Sequence, residues 1–210
     1  MNEIENLSTE EKIKEAARKI FLQKGFAGTK IRDIAEAADI NIALLNYYFR
    51  SKEKLFDAIF NESLAELLTA MFGIFNDTTL SFEEKIAQAV DSDIEFLKRN
   101  PLLPNFVFNE LHTNVDKLVK NFPVILEFEN VHFVKQFQEG VDAGIYRNIH
   151  PDHIFACMQG MVIQPFTEKC MFNLQYSTQT EAEIELLFTE FVDDHKKIVT
   201  EMLLNYLVIR

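Results

Sequence analysis

Glu129 and His132 form a Glu-x-x-His pair, the spacing that puts a carboxylate and an imidazole on one helix face as half of a di-iron site. Such a centre needs a second pair on a facing helix, and the sequence has none. His150 and His153 stand three apart but straddle Pro151, where a helix is expected to begin, without a carboxylate or thiolate partner at ligand spacing. Helix capping or exposure to water is their expected role. Cys157 and Cys170 are too few for a disulfide framework and lack metal-ligand spacing, so they read as free thiols of a reducing compartment. There is no GxSxG, no P-loop and no Gly-rich dinucleotide turn. No catalytic residue, metal or cofactor is expected, and the chemistry to look for is recognition.

The strongest recognition pattern is the stretch 31–49, IRDIAEAADINIALLNYYF. A helix-turn-helix needs two short amphipathic helices, a sharp turn and outward small or polar residues on the second helix, which enters the major groove. With Leu45 as the inward pole, a step of about 100° per residue puts Tyr48 and Phe49 on its side and Ala43 and Tyr47 opposite. A small residue at Ala43 lets backbone approach the bases, while Tyr47 offers its ring to a thymine methyl or its hydroxyl to a phosphate. Asn46 carries an amide suited to adenine if it faces the groove.

Positioning these side chains takes helices. Ser8 and Glu11 make a capping box before Ile13, Ala17, Ile20 and Phe21, and Gly25 is expected to end that first helix. Thr29 is expected to cap a second helix carrying Ile31, Ile34, Ala35 and Ala38, and Asn41 a short third. Ser51 opens a long amphipathic rod to about Gly73 through Leu55, Phe56, Ile59, Phe60, Leu64 and Leu67. Further helices are expected from Ser81 to about Arg99, over Phe106–Leu111, from Pro123 to about Ala143, and from Pro151 to about Leu174 with a kink at Pro165. The last follows the Thr180–Glu183 capping box. An all-α fold of about nine helices results, divided into a head, 1–56, and a larger helical body, 57–210.

The net charge of −12 looks adverse for nucleic acid until it is split by position. Residues 1–56 hold ten Lys/Arg against nine Asp/Glu, and 57–210 hold eleven against twenty-four, so a head of +1 is joined to a body of −13. Phosphate binding must then come from a local arrangement of charge. No apolar run approaches the roughly 18 residues of a membrane span and no apolar leader opens the chain, so a cytoplasmic protein without a membrane partner is expected.

KEAARKIFLQKGFAGTKIRDIAEAADINIALLNYYFRSKEKLF resembles the DNA-binding head of the TetR family over roughly residues 10–60. The resemblance rests on Ala16-Ala17 and Phe21 before Gly25, Thr29, Ile34-Ala35, Leu45, Tyr48-Phe49, and Ser51-Lys52-Glu53 closing with Leu55. It implies DNA contacts from Thr29, Asn41, Ile42, Ala43, Leu44, Tyr47, Tyr48 and Lys52, with Lys30 beside them. Three features depart from the family pattern. Asp39 replaces the turn glycine, Asn46 a common tyrosine, and Ile42 and Leu44 are apolar where polar residues often sit, which shifts readout toward methyl contacts and DNA shape.

The resemblance further implies a homodimer on a palindromic operator, with a ligand pocket in the body. Twenty Phe and no Trp give that body an aromatic interior, and Phe106, Phe128, Phe133, Phe137, Phe155, Met158, Gln159 and Val162 lie on segments expected to line the pocket. The stripe of Ile184, Leu187, Phe188, Phe191, His195, Ile198 and Met202 is wider than one neighbour needs and is expected to pair with the segment 151–171 across a two-fold axis in a four-helix bundle. The functional expectation is a regulator, by default a repressor, released from DNA by an unknown small apolar or aromatic molecule. Its rival is a helical interaction or ligand-binding protein that has lost DNA binding.

Overall fold

The computed structural model describes residues 8–113, 115–123 and 131–209. The described residues form eleven α-helices: α1 (Thr9–Gly28), α2 (Ile31–Ala37), α3 (Ile42–Phe49), α4 (Lys52–Asn76), α5 (Phe82–Arg99), α6 (Leu103–Thr113), α7 (Val115–Asn121), α8 (His132–Asp142), α9 (Pro151–Thr167), α10 (Lys169–Gln175) and α11 (Glu181–Leu207). The all-helical expectation holds. Two compact units divide the chain between Leu64 and Ala65, inside α4.

In the first unit, Ile13, Ala17 and Phe21 of α1, Ile34 and Ala35 of α2, Leu45 and Phe49 of α3, and Leu55 and Ile59 of α4 form one buried cluster. The Ser8–Glu11 box opens α1 as expected, with both reciprocal hydrogen bonds made. Gly25 breaks the helical geometry at φ 67°, ψ 172°, but one further turn follows and α1 closes at Gly28. Thr29 does not cap α2. Its hydroxyl donates to Gly25 O at 2.7 Å and its side chain is buried, while Lys30 takes the N-cap position with its N–H directed to Asp33 Oδ2 at 3.4 Å.

The second unit is organised on α5, which packs against α8, α9 and α11. Phe82, Ile86, Ala89, Val90, Ile94 and Leu97 supply its buried face. Across it stand Phe133 and Phe137 of α8, Ile154, Met158, Val162 and Phe166 of α9, and Phe188, Val192, Val199 and Leu203 of α11. The capping boxes at Ser81–Glu84 and Thr180–Glu183 fix the starts of α5 and α11. α6 begins at Leu103, with Pro104 in the first turn where a missing N–H breaks no helical bond. The helix start expected at Pro123 runs into 124–130, outside the described residues; α8 is described from His132.

The helix expected to bend at Pro165 and run on to Leu174 instead ends at Thr167, and α10 starts afresh at Lys169. Proline has no N–H for the carbonyl four residues back, here Met161. His195 of α11 fills that gap: its Nε2 lies 2.9 Å from Met161 O, which makes Nε2 the protonated nitrogen.

Among the described residues one helix, α4, is long and apolar enough to cross a membrane by length and composition, contrary to the expectation that no stretch approaches that size. Its side chains are used otherwise. Leu55, Ile59, Phe60 and Leu64 are buried in the first unit and Leu68, Met71 and Phe75 in the second. Glu62 meets Lys14 at 2.6 Å and Arg18 at 3.2 Å, and Glu66 meets Arg99 at 3.4 Å. Such ion pairs on successive turns fit a core helix of a globular chain.

Tyr146 ties the chain end to the body. Its ring packs on Phe82 at 4.7 Å and stacks on Phe137 at 5.9 Å, its hydroxyl donates to Glu83 at 2.5 Å, and it forms an isolated antiparallel bridge with Val208. Gly140 leaves room for that ring: a Cβ there would sit 2.1 Å from Tyr146 Cδ2. In an open helix Gly→Ala stabilises by about 1 kcal/mol. Here overpacking outweighs that gain, and Gly140→Ala is expected to destabilise by about 1–2 kcal/mol in chemical denaturation; an increase in stability would refute the close-approach account.

Candidate nucleic-acid interface

The outer face of α3 is built by its burial elsewhere. Leu45 and Phe49 fix the inward side, and Ala43, Asn46 and Tyr47 are exposed, Tyr47 by 80%. Ile42 and Leu44 are half-buried on the flanks. Tyr48, placed by periodicity on the inward side, is instead 39% exposed and meets the Tyr47 ring edge-on at 5.5 Å. α3 thus presents two aromatic rings beside a small residue, a surface suited to apolar contact with base methyls and to hydroxyl contact with phosphate.

The turn before it is left-handed at Asp39, the residue that replaces the family's turn glycine. Asp39 sits at φ 53°, Ile40 N–H returns to Ala35 O at 3.0 Å, and Asn41 Oδ1 caps α3 by accepting from Leu44 N–H at 2.8 Å. Arg50, at φ 60°, closes α3 and remains exposed.

Lys52 is engaged within the head. Its ammonium donates to Phe26 O at 2.9 Å and Thr29 O at 3.0 Å and lies 4.2 Å from the centre of the Phe26 ring. It thereby satisfies carbonyls at the end of α1 and binds the first turn of α4 to the α1–α2 junction. Thr29 has its hydroxyl equally committed, to Gly25. Both residues, expected at DNA through the family resemblance, have their polar atoms on the chain's own backbone in this structure. Lys14, Arg18 and Lys24 are likewise paired, with Glu62, Glu62 and Asp33. Lys30, Arg32, Arg50 and Lys54 are exposed and form no ion pair among the described residues. Arg32 and Arg50 were not singled out by the sequence; their only signal is a position in the first turn of α2 and directly after α3.

In the body, Phe133, Phe137, Met158 and Val162 are buried, and Phe155 and Gln159 are half-buried. Phe155 meets Phe75 at 5.5 Å and Phe133 at 5.3 Å. Phe128 and the side chain of Phe106 lie outside the described residues, as does Glu129 of the Glu-x-x-His pair. His132 Nδ1 is 2.9 Å from Lys85 Nζ, and His150 caps α9 by accepting from Asp152 N–H at 3.3 Å. No group of metal-binding side chains occurs among the described residues.

Two charged residues on the buried face of α5 escaped sequence reasoning. Lys85 is fully buried, donates to Phe75 O at 3.2 Å, and is held below the ordinary lysine range by burial. Asp93 is 2% exposed and accepts from Gln159 Nε2 at 3.0 Å. Both lie in phase with Phe82 and Ala89 on a helix whose apolar residues mark its inner side, which is the signal that would have found them.

The apolar stripe of α11 divides in two. Phe188 is buried within the body, edge-on to Phe166 at 5.6 Å and Phe172 at 5.3 Å, so it belongs to the core and not to an outward face. Phe191, Ile198, Met202 and Tyr206 are exposed by 43–59%, with Ile184, Leu187 and His195 half-buried along the same side. Phe172 of α10 meets Phe191 at 5.5 Å, and the rest of this stripe, through Ile198, Met202 and Tyr206, stays exposed.

Residues 13–59 match the sequence profile of bacterial regulatory proteins of the tetR family. Over 165 residues, 77% of this chain and 79% of the relative, the sequence is 28% identical to the "Probable HTH-type transcriptional regulator YttP" of Bacillus subtilis (strain 168). A 66-residue stretch is 39% identical to the HTH-type transcriptional repressor NicS of Pseudomonas putida (strain KT2440), covering 28% of this chain and 31% of that protein. Among solved structures, HlyIIR, a hemolysin II transcriptional regulator, superposes with a TM-score of 0.57 at 22% identity over 91% of this chain and 97% of that one. The Bacillus subtilis regulator FadR in complex with stearoyl-CoA gives 0.61 at 16% identity over 92% and 97%. At these identities the superpositions establish the fold.

Proposed function

We propose, from the premise that the chain belongs to the TetR family of bacterial regulatory proteins, that this DNA-binding transcriptional regulator is a repressor released from a palindromic operator by a small apolar or aromatic molecule. Residues 1–56 act as the DNA-binding domain and 57–210 as the sensing and dimerisation domain, in the cytoplasm. The observation that carries the DNA-binding reading is the 80% exposure of Tyr47 on a helix whose opposite side is locked into the head's core. A large aromatic left in water at the outer face of a helix-turn-helix calls for a partner surface. Ala43, Asn46, Tyr47 and Tyr48 supply groove contacts, and Lys30, Arg32, Arg50 and Lys54 the phosphate contacts. Thr29 and Lys52 act by holding the α1–α2 junction in shape.

Each protomer contributes one recognition helix, and two must stand about 34–36 Å apart to enter successive major grooves. A ligand that binds better to the conformation with another spacing lowers operator affinity by its differential affinity alone, and no catalytic group is needed. A change in the direction of α4 is the proposed intermediary. A neighbour in fold that binds stearoyl-CoA is consistent with an apolar ligand here.

Fluorescence anisotropy on DNA from upstream of the protein's own gene, at about 50 and 200 mM salt, tests the reading. Binding is expected to weaken steeply with salt, to exceed binding to scrambled DNA, and to fall about 10- to 100-fold in Tyr47→Ala. Sequence-independent binding, or an unchanged Tyr47→Ala variant, would return the chain to the class of helical interaction proteins.

A further inference from the structure

Asp93 Oδ2 is bonded to Gln159, but Asp93 Oδ1 is buried with no hydrogen-bond partner among the described residues. Nor does any described lysine, arginine or histidine stand within ion-pair distance of it; the nearest cation along the buried face of α5, Lys85, is two turns away and bonded to Phe75 O and His132. A carboxylate oxygen in that state lacks both a donor and a countercharge, and buried polar atoms left so are rare. The group sits in an apolar, sulfur- and ring-lined setting. Gln159 Nε2 is 4.0 Å from Met71 Sδ, and one turn earlier on α9 Phe155 packs on Phe75 and Phe133. Phe155 and Gln159 are half-buried, so this side of α9 keeps part of its surface in solvent.

We infer that Asp93, oriented by Gln159, is the polar anchor of the effector site and that the effector is a lipophilic ammonium, its N–H donating to Asp93 Oδ1 and its apolar part lying against Phe155 and Met71. An ammonium supplies the missing donor and the missing charge together; an alcohol supplies only the donor, and a carboxylate neither. The aromatic rings favour a cation over a neutral head, and a region 57–210 with a net charge of −13 draws cations toward it. Burial raises the Asp93 carboxyl to about 7, so an arriving ammonium displaces a proton there over the range where that group titrates.

This inference rests on the ligand-responsive reading above, and the experiment separates the two. Calorimetric titration of the full chain with n-octylammonium, 1-octanol and octanoate is expected to rank them in that order, the ammonium at least about tenfold tighter than the alcohol. Asp93→Asn, checked for fold by its melting curve, is expected to erase that preference. Gln159→Leu, which keeps the carboxylate, is expected to retain it and provides a second variant. Operator binding is followed in parallel by anisotropy. Equal affinity for ammonium and alcohol in the wild type, a preference that survives Asp93→Asn, or tightest binding of octanoate would each overturn the ammonium site while leaving an intact operator complex unaffected. Ammonium binding by a chain that binds no DNA would sink the regulator reading instead.

Discussion

Phe191→Asp is expected to convert the protein to a monomer and to weaken operator binding by about 10²- to 10⁴-fold, the range that linking two binding modules supplies. Phe191 is the most buried of the strongly exposed apolar residues on the outer side of α11, and Ile198 and Met202 continue its row at spacings of seven and four. Rows of this spacing form one helical seam. A chain with net charge −12 does not keep such a seam in water without a use for it, and a two-fold axis that joins α9 and α11 of both copies in a four-helix bundle would cover it. A carboxylate placed there would be buried in the seam without a countercharge, so the pairing is lost. The monomer's own core should survive, because Phe188, Val192, Val199 and Leu203 on the inner side are untouched. Sedimentation at micromolar protein and anisotropy on operator DNA read the two consequences. Asp194→Lys, an exposed polar change on the same helix, serves as the control. A Phe191→Asp protein that still sediments as a dimer would remove α11 from the interface, and Phe188→Asp should differ by unfolding the chain.

The sequence made the helices legible where a local rule decided them. Capping boxes at Ser8, Ser81 and Thr180 and the cap at Asn41 each appear as read, because a side-chain oxygen three residues from a helix N–H needs no knowledge of the rest of the fold. What failed depended on tertiary partners. Thr29 looks like an N-cap by type, but its hydroxyl is claimed by the carbonyl that Gly25 exposes when α1 breaks. The engagement of Lys52 by two carbonyls and the Phe26 ring was equally invisible, because it joins residues 26 positions apart. Phe188 and Phe191 are three apart on one broad stripe and both touch Phe172, and the packing of Phe166 of α9 on Phe188 separates the core residue from the exposed one. Asp93 was missed because attention to apolar periodicity discounts a charge that falls in phase with it.

Asp93 should also make the fold lose stability as pH rises through neutrality. The carboxyl ordinarily titrates near 3.8 and is raised to about 7 in the folded chain, first by burial, with the Gln159 hydrogen bond working in the opposite direction. Between those values the folded chain holds a proton that the unfolded chain has released, so the contribution to stability declines from about pH 4 upward and reaches its minimum above about pH 7. Other carboxylates act with the opposite sign: Asp193 is held low by Lys98, and Glu95 by Lys196 and Lys98, so their contribution is lost on acidification. The net profile mixes the two kinds of group, and the measurement that isolates Asp93 is a comparison with Asp93→Asn. Asparagine keeps the shape and an acceptor for Gln159 but does not titrate. Urea unfolding at about pH 5 and about pH 8.5 is expected to show the variant gaining on the wild type by about 3 kcal/mol between the two conditions, as the shift from 3.8 to about 7 requires. A difference that stays constant with pH would mean that Asp93 is ionised and solvated throughout, and would remove the carboxyl from the buried interior of the body. A difference of the expected sign that shrinks when n-octylammonium is added would tie the group's titration to its ligand, because a bound ammonium lowers the cost of the charge that burial raises.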